Sequence, residues 1–190
     1  MSPSAVTFIL EEHQSVRAVL RSFRMLIERS ARQGRLPDFG ALRAMLFYID
    51  EVPRHSHHAK ESLHLFPLVS ERCPALRPVL RRLEDDHGRG EIAIKALERA
   101  LLAYEVMGES RREAFEQAAQ DFLTRYLGHM EVEENYVIPV ALDYLTAADW
   151  QRLDTVFSPS SDPAERDLAE SHRRLLRQVL FQEGTPSFCK

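Results

Sequence analysis

Cysteine, glycine and long apolar runs are scarce in this sequence, and each scarcity excludes a class of protein. The two cysteines, Cys73 and Cys189, form neither a CxxC nor a zinc-knuckle pattern, and they are too few for a disulfide framework. Seven glycines and ten prolines are too few for a collagen-like or low-complexity chain. No apolar run approaches the roughly 18 residues of a membrane-spanning helix. No basic segment precedes the short apolar stretch near Val6, so no secretory signal is predicted and we expect a cytoplasmic protein.

Positive charge and strand patterns are missing as well. The 25 basic and 29 acidic side chains leave a net charge of −4, which argues against a general nucleic-acid-binding protein. Alternating runs of Val, Ile and Thr and Asn-Gly hairpin signals do not occur. Helical periodicity runs almost throughout instead, and hydrophobic residues make up 44% of the chain, enough for a buried core. The sequence therefore predicts an all-α protein.

Glycine and proline residues divide the periodic pattern into four long helices. We expect Asp38 and Ser110 to cap two of these helices, because short polar side chains can accept hydrogen bonds from the first free N–H groups. Pro53 should break or kink the second helix, because it removes an amide donor and clashes with the preceding turn. The four helices are predicted at about 4–33, 38–72, 74–107 and 110–144.

A C-terminal extension follows the four helices. Thr146 is a predicted cap for a short helix, and Asp162 is a predicted cap for a final helix with Pro163 at its first position. Four long helices with short connections favour an up-down four-helix bundle. We therefore predict a bundle over residues 1–145 and a helical extension over residues 146–190 that packs on it.

An internal repeat is the most informative feature of the chain. Residues 57–67 read HHAKESLHLFP and residues 129–139 read HMEVEENYVIP, so both copies contain His-x-x-x-Glu, three further residues, two apolar residues and Pro. His13 lies 44 residues before His57, and His87 lies 42 residues before His129. Each half of the chain thus supplies one histidine on one helix and a His-x-x-x-Glu pair on the next.

This repeat has the residue types and the spacing of a metal site. A single His-x-x-x-Glu is usually a solvated helix pair, but two copies in register are not expected by chance. Residues i and i+4 lie on one helix face, so four helices around one axis can direct all these groups to a common centre. Neutral imidazoles can ligate two metal ions, and carboxylates can bridge them. Without a metal, such buried groups would be costly. The predicted ligands are His13, His57, Glu61, His87, His129 and Glu133.

At these residues the sequence resembles the hemerythrin-like family, the HHE cation-binding domains. The resemblance covers about residues 5–145 and rests on the two copies of the repeat. It implies an up-down four-helix bundle that holds a non-haem di-iron centre. It also implies that two carboxylates bridge the ions and that four histidines are terminal ligands. The implied bridging residues are Glu61 and Glu133, and the implied terminal ligands are His13, His57, His87 and His129.

The sequence departs from the oxygen-carrying members that it resembles. Those proteins use a fifth histidine one turn after the ligand of the third helix, where this chain has Glu91, which is therefore an additional candidate ligand. They also use an Asp five residues after the histidine of the fourth helix, where this chain has Glu134 beside Glu133. These differences argue against pure oxygen carriage. They make the chain more similar to bacterial members linked to nitric oxide, peroxide or oxygen responses.

A ferritin-like arrangement is the rival di-iron pattern, with Glu-x-x-His on two helices. The pairs Glu61/His64 and Glu84/His87 have that spacing. The fourth helix has no such pair, because Tyr126 stands three residues before His129. The ferritin-like alternative therefore ranks second.

Four further histidines lie outside the predicted ligand set. His55, His58 and His64 crowd the site on the second helix, and His64 lies near the face of His57 and Glu61. His64 is either an outer hydrogen-bond donor, an alternative ligand or a surface residue, and the surface is favoured. His172 lies among arginines of the final helix and is expected to be solvated.

Other residues near the predicted ligands could support them. Tyr126, one turn before His129, is either a hydrogen-bond donor toward the metals or a core tyrosine with its hydroxyl at the rim. Asp85 and Asp86 are expected to favour a helix start or to orient the imidazole of His87.

Three functions stay open at this point. The protein could bind O2 or NO reversibly as a carrier or sensor, could turn over peroxide or NO as an enzyme, or could handle iron or repair iron centres. The expected cofactor is a pair of carboxylate-bridged iron ions. The expected partners are a diatomic ligand (O2 or NO) or peroxide, without nucleic acid or membrane. The chain is expected to be a monomer or a homodimer.

Overall fold

Helices make up nearly all of the chain that the structure describes. The structure is a computed structural model, and it describes residues 3–53, 57–158 and 163–181. These residues contain no strand, so the all-α prediction is confirmed. The α-helices are α1 (Ser4–Gln33), α2 (Phe39–Pro53), α3 (Phe66–Arg72), α4 (Arg77–Met107), α5 (Arg112–Val132), α6 (Ile138–Tyr144), α7 (Ala147–Phe157) and α8 (Pro163–Phe181). None of them is long and apolar enough to cross a membrane.

Local turn chemistry sets most of the helix ends that the sequence predicts. Gly34 ends α1 with a φ of 59°, a left-handed conformation that glycine adopts without a Cβ clash. Asp38 caps α2, since its Oδ1 accepts a hydrogen bond of 2.9 Å from the N–H of Ala41. Gly108 follows the last residue of α4 with a φ of 71°. The predicted ends near residues 33 and 107 and the cap at Asp38 are therefore confirmed.

The predicted cap at Ser110 is wrong. The chain passes from α4 into α5 through a 3-10 turn, Gly108–Arg111, and Ser110 lies inside that turn. Its hydroxyl donates to the carbonyl of Met107 at 3.3 Å rather than accepting from an N–H of α5. Arg111, directly before α5, has a φ of −111° and a ψ of −1°, not the extended backbone that an N-cap needs.

Four of the helices pack side by side. α1 contacts α2, α2 contacts α4, α4 contacts α5, and α5 contacts α1, so the contacts close a ring. Two apolar clusters fill its interior. The first cluster includes Phe23, Leu46, Leu101 and Phe115, and the second includes Ile9, Phe66, Leu83 and Ile138. The up-down chain direction stays a prediction.

The C-terminal helices pack against this ring. Thr146 and Asp149 form the predicted capping box of α7. Asp149 is fully buried, and Arg72 donates to it at 3.0 Å, which ties α7 to the end of α3. Hydrogen bonds from Arg72 and Thr146 hold the pKa of the Asp149 carboxyl well below its usual value.

The last described helix, α8, begins at Pro163 and contacts α1 and α2. Leu175, Leu176 and Leu180 pack against the first apolar cluster. The predicted cap Asp162 lies outside the described residues. The division of the chain at residue 145 also stays a prediction.

Candidate metal centre

The predicted ligands lie at the level where the two apolar clusters meet. On α1 the second cluster ends at Ile9, the first begins at Val16, and His13 stands between them with no exposed surface. On α4 the same change occurs between Leu83 and Ile94, with His87 in the interval. A polar layer is thus enclosed by apolar layers on both sides. The buried predicted ligands in this layer are His13, His57, Glu61, His129 and Glu133, and His87 is half-buried.

Both copies of the repeat form a π-helical turn that begins at the glutamate. The turns are Glu61–Leu65 and Glu133–Val137, and the next N–H, of Phe66 or Ile138, bonds the glutamate carbonyl five residues back. A proline, Pro67 or Pro139, stands two residues after the last residue of each turn. Because proline lacks an N–H and its ring clashes with the carbonyl four residues earlier, a wider turn accommodates it. π-Helical turns occur often at functional sites.

Three imidazoles form the first candidate ligand group. His58, His87 and His129 each offer one nitrogen, and these atoms lie within 4.8 Å of one another. The Nε2 atoms of His87 and His129 are 3.1 Å apart. Two adjacent ligands with metal bonds of about 2.1 Å at right angles would be separated by about 3 Å, so this spacing suits a shared ion. The ring of His58 stacks on that of His87, with centroids 4.2 Å apart.

The second candidate group lies deeper. His13, His57 and Glu61 are all buried, and their ligand atoms also lie within 4.8 Å of one another. A third combination, Glu61 with His87 and Glu133, satisfies the same limit and joins the two groups.

Glu133 stands between the two groups. Its Oε1 is 3.1 Å from Nε2 of His129, and its Oε2 is 3.3 Å from Nε2 of His13. Each carboxylate oxygen therefore faces an imidazole of a different group, which is the arrangement that a bridging carboxylate requires.

Two imidazoles are oriented by residues outside the ligand groups, and each of these residues comes from the other half of the repeat. The residue after each glutamate bonds the lone histidine of the other half. Ser62 Oγ is 3.0 Å from Nδ1 of His87, and Glu134 Oε1 is 2.8 Å from Nδ1 of His13. Arg17 holds Glu134 through two hydrogen bonds, of 2.6 and 2.9 Å. Such partners fix the ring orientation of a metal-bound histidine and raise its basicity.

The expected role of Asp85 and Asp86 is not what the structure shows. Both lie well inside α4, which begins at Arg77, so they do not start the helix. Nδ1 of His87 has Ser62 as its partner instead. Asp86 approaches Arg82 at 3.8 Å.

Burial keeps most of the imidazoles neutral. Desolvation lowers the pKa of His87 to about 4 and also lowers the pKa of His57 and of His58, the last of them well below its usual value. Burial lowers the pKa of His13 too, but the neighbouring Glu133 and Glu134 outweigh that effect and raise it. Neutral imidazole is the form that binds metal ions.

The two carboxyl groups have opposite shifts. Burial and the charge of Glu133 raise the pKa of Glu61 well above its usual value. Burial would raise the pKa of Glu133 as well, but hydrogen bonds from His129 and His13 hold it well below its usual value. The metal-free centre therefore accommodates one carboxylate charge and resists the second.

Several buried polar atoms lack a partner in the described part of the chain. They include Nε2 of His58 and Oε2 of Glu61, both directed into the layer of candidate ligands. A buried polar group without a hydrogen bond costs about 1–3 kcal/mol, so folding these atoms into the centre without any partner is unfavourable. Metal ions at this place would satisfy these atoms. The donors are nitrogen and oxygen without a thiolate, a set that suits iron, manganese or zinc.

Not every sequence candidate joins the cluster. Glu91 is exposed and belongs to none of the ligand groups, and His64 is exposed as well. His172 is half-buried on α8 rather than fully solvated. His55 lies outside the described residues. The hydroxyl of Tyr126 is buried without a hydrogen-bond partner among the described residues, and its ring lies 6.2 Å from that of His58.

His58 is the candidate ligand that the repeat did not identify. The second copy has Met130 at the matching position, so a search for residues shared by both copies does not find His58. The histidine doublet followed by a proline-induced π turn was the available signal.

Replacing His58 by Met is expected to lower the metal content from about two ions per chain to about one, because the first group loses a ligand while the second stays complete. Metal analysis after loading with zinc measures this. His64→Met is the control, since His64 is exposed on the same segment. Equal metal content in both variants would show that His58 is not a ligand.

The donors and their geometry define a candidate metal centre that is enclosed by helices. The family model for the hemerythrin HHE cation binding domain matches residues 4–141, well over half of the chain. The chain therefore belongs to the hemerythrin HHE family. Among curated proteins, none matches the sequence.

Proposed function

We propose that the protein holds a carboxylate-bridged di-iron centre that binds or reacts with O2, NO or peroxide. The position of Glu133 carries the proposal, since its two oxygens face His129 in one ligand group and His13 in the other. Glu61 is the second bridging candidate, because it belongs both to the deeper group and to the combination with His87 and Glu133. Family membership favours iron among the metals that suit these donors.

The two ligand groups are unequal, and this inequality supports a reactive centre. The first group offers three imidazoles, whereas the deeper group offers two imidazoles and the Glu61 carboxylate. If both glutamates bridge, the ion at the three imidazoles has five protein ligands and the ion at His13 and His57 has four, so each falls short of the six ligands of an octahedral ion. A metal site with an incomplete protein ligand set has room for an exogenous ligand, as catalytic sites do.

A reaction, in addition to reversible binding, is supported by Tyr126. A pair of ferrous ions held by these ligands would supply two electrons for reduction of an oxygen compound, and such a reduction consumes protons. The hydroxyl of Tyr126 lies beside the first ligand group and has no other partner in the described residues. Burial raises its pKa well above the usual value, so the proton stays on the oxygen at neutral pH and is available as a hydrogen-bond donor.

Metal analysis with an optical spectrum tests the proposal. Purified protein that is loaded with ferrous iron without air and then oxidised should contain about two iron ions per chain and show ligand-to-iron charge-transfer absorption. That absorption should disappear on reduction. Fewer than one metal ion per chain, or zinc alone after iron loading, would contradict the proposal.

A further inference from the structure

A cavity of about 460 Å³ lies beside the first ligand group. Residues of α2, α4 and α5 form its walls, and most of the exposed lining is apolar. The apolar residues on which the argument depends are Ile49, Ala93, Ile94, Phe122 and Val132.

The polar groups of the candidate metal centre form one side of this cavity. His58, His87 and His129 all line it, and so does Tyr126. The Tyr126 hydroxyl is buried and has no hydrogen-bond partner among the described residues. A ligand in the cavity could therefore keep an apolar body against the walls and direct a polar end toward the metal centre and the tyrosine hydroxyl.

The cavity is far larger than a diatomic gas needs. A water molecule takes up about 30 Å³ in the liquid, and O2, NO and hydrogen peroxide are of similar size. A cavity of about 460 Å³ instead lies within the range of sites for small organic molecules, roughly 300–1,000 Å³. Of the three ligand classes in the proposed function, peroxide alone can carry an organic substituent.

The charged residues along the cavity do not select an ion of either sign. Three arginines and three acids line it, so their formal charges cancel, and a neutral ligand is favoured over an anion. These residues are Asp50, Arg82, Asp86, Arg89, Glu91 and Arg125.

We infer that the substrate is an organic hydroperoxide, ROOH, whose apolar group R occupies this cavity; the inference rests on the proposed di-iron function. Reduction of ROOH takes two electrons and two protons, breaks the O–O bond and gives ROH and water; two ferrous ions held by the ligand groups would supply both electrons and become ferric. A thiol or a reduced flavin is the class of reductant that would restore the ferrous ions for another turnover.

The chain's own residues have separate roles in this binding. The apolar walls exclude water and hold R, while Tyr126 donates a hydrogen bond to the peroxide oxygens. Gly90 and Gly128 line the cavity from α4 and α5, and a Cβ added at either position would meet no atom within 4 Å. Larger side chains at these two positions should therefore occupy the space of R.

Gly88 provides a matched control. It is exposed on α4, it is not part of the cavity lining, and a Cβ there also meets no atom within 4 Å. Leucine at 88 or 90 replaces a helical glycine by a better helix former, so both variants are expected to fold.

The first measurement compares the rates at which cumene hydroperoxide and hydrogen peroxide oxidise the di-ferrous protein in a single turnover. In Gly90→Leu and Gly128→Leu, the ratio of the two rates, organic over hydrogen peroxide, should fall at least about tenfold, the scale on which a hydrophobic pocket discriminates by size. Gly88→Leu should leave the ratio unchanged. A ratio that stays the same in both cavity variants would overturn the inference.

The second measurement needs no reaction. Zinc-loaded protein, which is diamagnetic, is titrated with 2-phenylpropan-2-ol, the alcohol product of cumene hydroperoxide, and the glycine amide signals are followed by NMR. The signals of Gly90 and Gly128 should shift while those of Gly34 and Gly108 stay in place. If no glycine signal shifts, or all shift equally, the cavity does not bind the organic group.

The measurements distinguish the absence of a di-iron centre from the absence of organic hydroperoxide binding. If the protein does not hold two iron ions, the proposed function fails, and the zinc-loaded titration still reports on the cavity. If the protein holds two iron ions and hydrogen peroxide oxidises them, but the cavity variants keep the wild-type ratio, only the organic substrate is excluded.

Discussion

Replacing Glu133 by alanine is expected to lower the iron content from about two ions per chain to fewer than about one, the largest effect of any single substitution in the centre. Its two oxygens face His129 and His13, so the change removes a donor from both metal positions at once. Loss of an outer partner such as Glu134, which holds only His13 Nδ1, should weaken binding by roughly 10–100-fold and leave more metal in place at saturation.

The controls for this prediction separate loss of a ligand from loss of the fold. Glu131→Ala changes an exposed glutamate two residues before Glu133, and His172→Ala changes a histidine of α8 that belongs to none of the ligand groups; both should keep the wild-type iron content. His57→Ala should lower the iron content to about one ion per chain, because His57 belongs to the deeper ligand group alone. Circular dichroism checks that the helices are retained, and Glu133→Gln preserves the side-chain shape if the alanine variant unfolds. Equal iron content in all these proteins would refute the ligand assignment.

The helix ends could be predicted where the signal is local. Gly34 and Gly108 adopt positive φ, and Asp38 accepts a hydrogen bond from an N–H three residues on, so neighbouring residues alone decide these ends. Ser110 shows the limit of such signals. Whether a serine caps a helix depends on how the chain enters that helix, and here a 3-10 turn continues straight into α5.

The clustering of the six predicted ligands could be predicted from their spacing in the sequence. The i, i+4 spacing fixes each His–Glu pair on one helix face, and the repeat fixes which helices carry the lone histidines. The structure places His13 and His87 on their helices between the two apolar clusters. Whether these groups bind metal stays a prediction.

His58 could not be placed in the same way. Neighbours in a regular α-helix point about 100° apart, so a site that uses His57 does not predict the direction of His58. The backbone is π-helical at His57 and His58, so the angle between these neighbours is smaller than in an α-helix, and both rings reach the layer of candidate ligands. The hydrogen bonds from each half to the lone histidine of the other half could not be predicted for a related reason. Ser62 and Glu134, which make them, occupy the same place in the repeat but are different residues.

The same comparison explains why the two ligand groups are unequal. Where the first copy of the repeat has His58, the second has Met130, which is buried in the first apolar cluster. One side of the centre thus gains an imidazole and the cavity beside it, while the other side keeps a smaller ligand set. The two halves of the repeat therefore differ chemically at this position as well as at Ser62 and Glu134.

Removing the metal is expected to lower the melting temperature by about 15 °C or more at neutral pH. Each ion present at about a thousand times its dissociation constant contributes about 4 kcal/mol, and for a chain of this size each kcal/mol is worth about 2–4 °C.

Without metal, the raised pKa of Glu61 means that the folded chain retains a proton which the unfolded chain has lost. The stability that this proton contributes therefore disappears as the pH rises through that raised pKa. The raised pKa of His13 acts in the same direction above 6.5. The metal displaces these protons, so the difference in melting temperature between metal-loaded and metal-free protein should widen from pH 6.5 to about pH 8. Calorimetry of both forms at the two pH values measures this, with metal-free Glu61→Gln as the control that should lose less stability over that range. A difference that narrows as the pH rises would show that the metal does not displace a proton from the buried carboxyl group of Glu61.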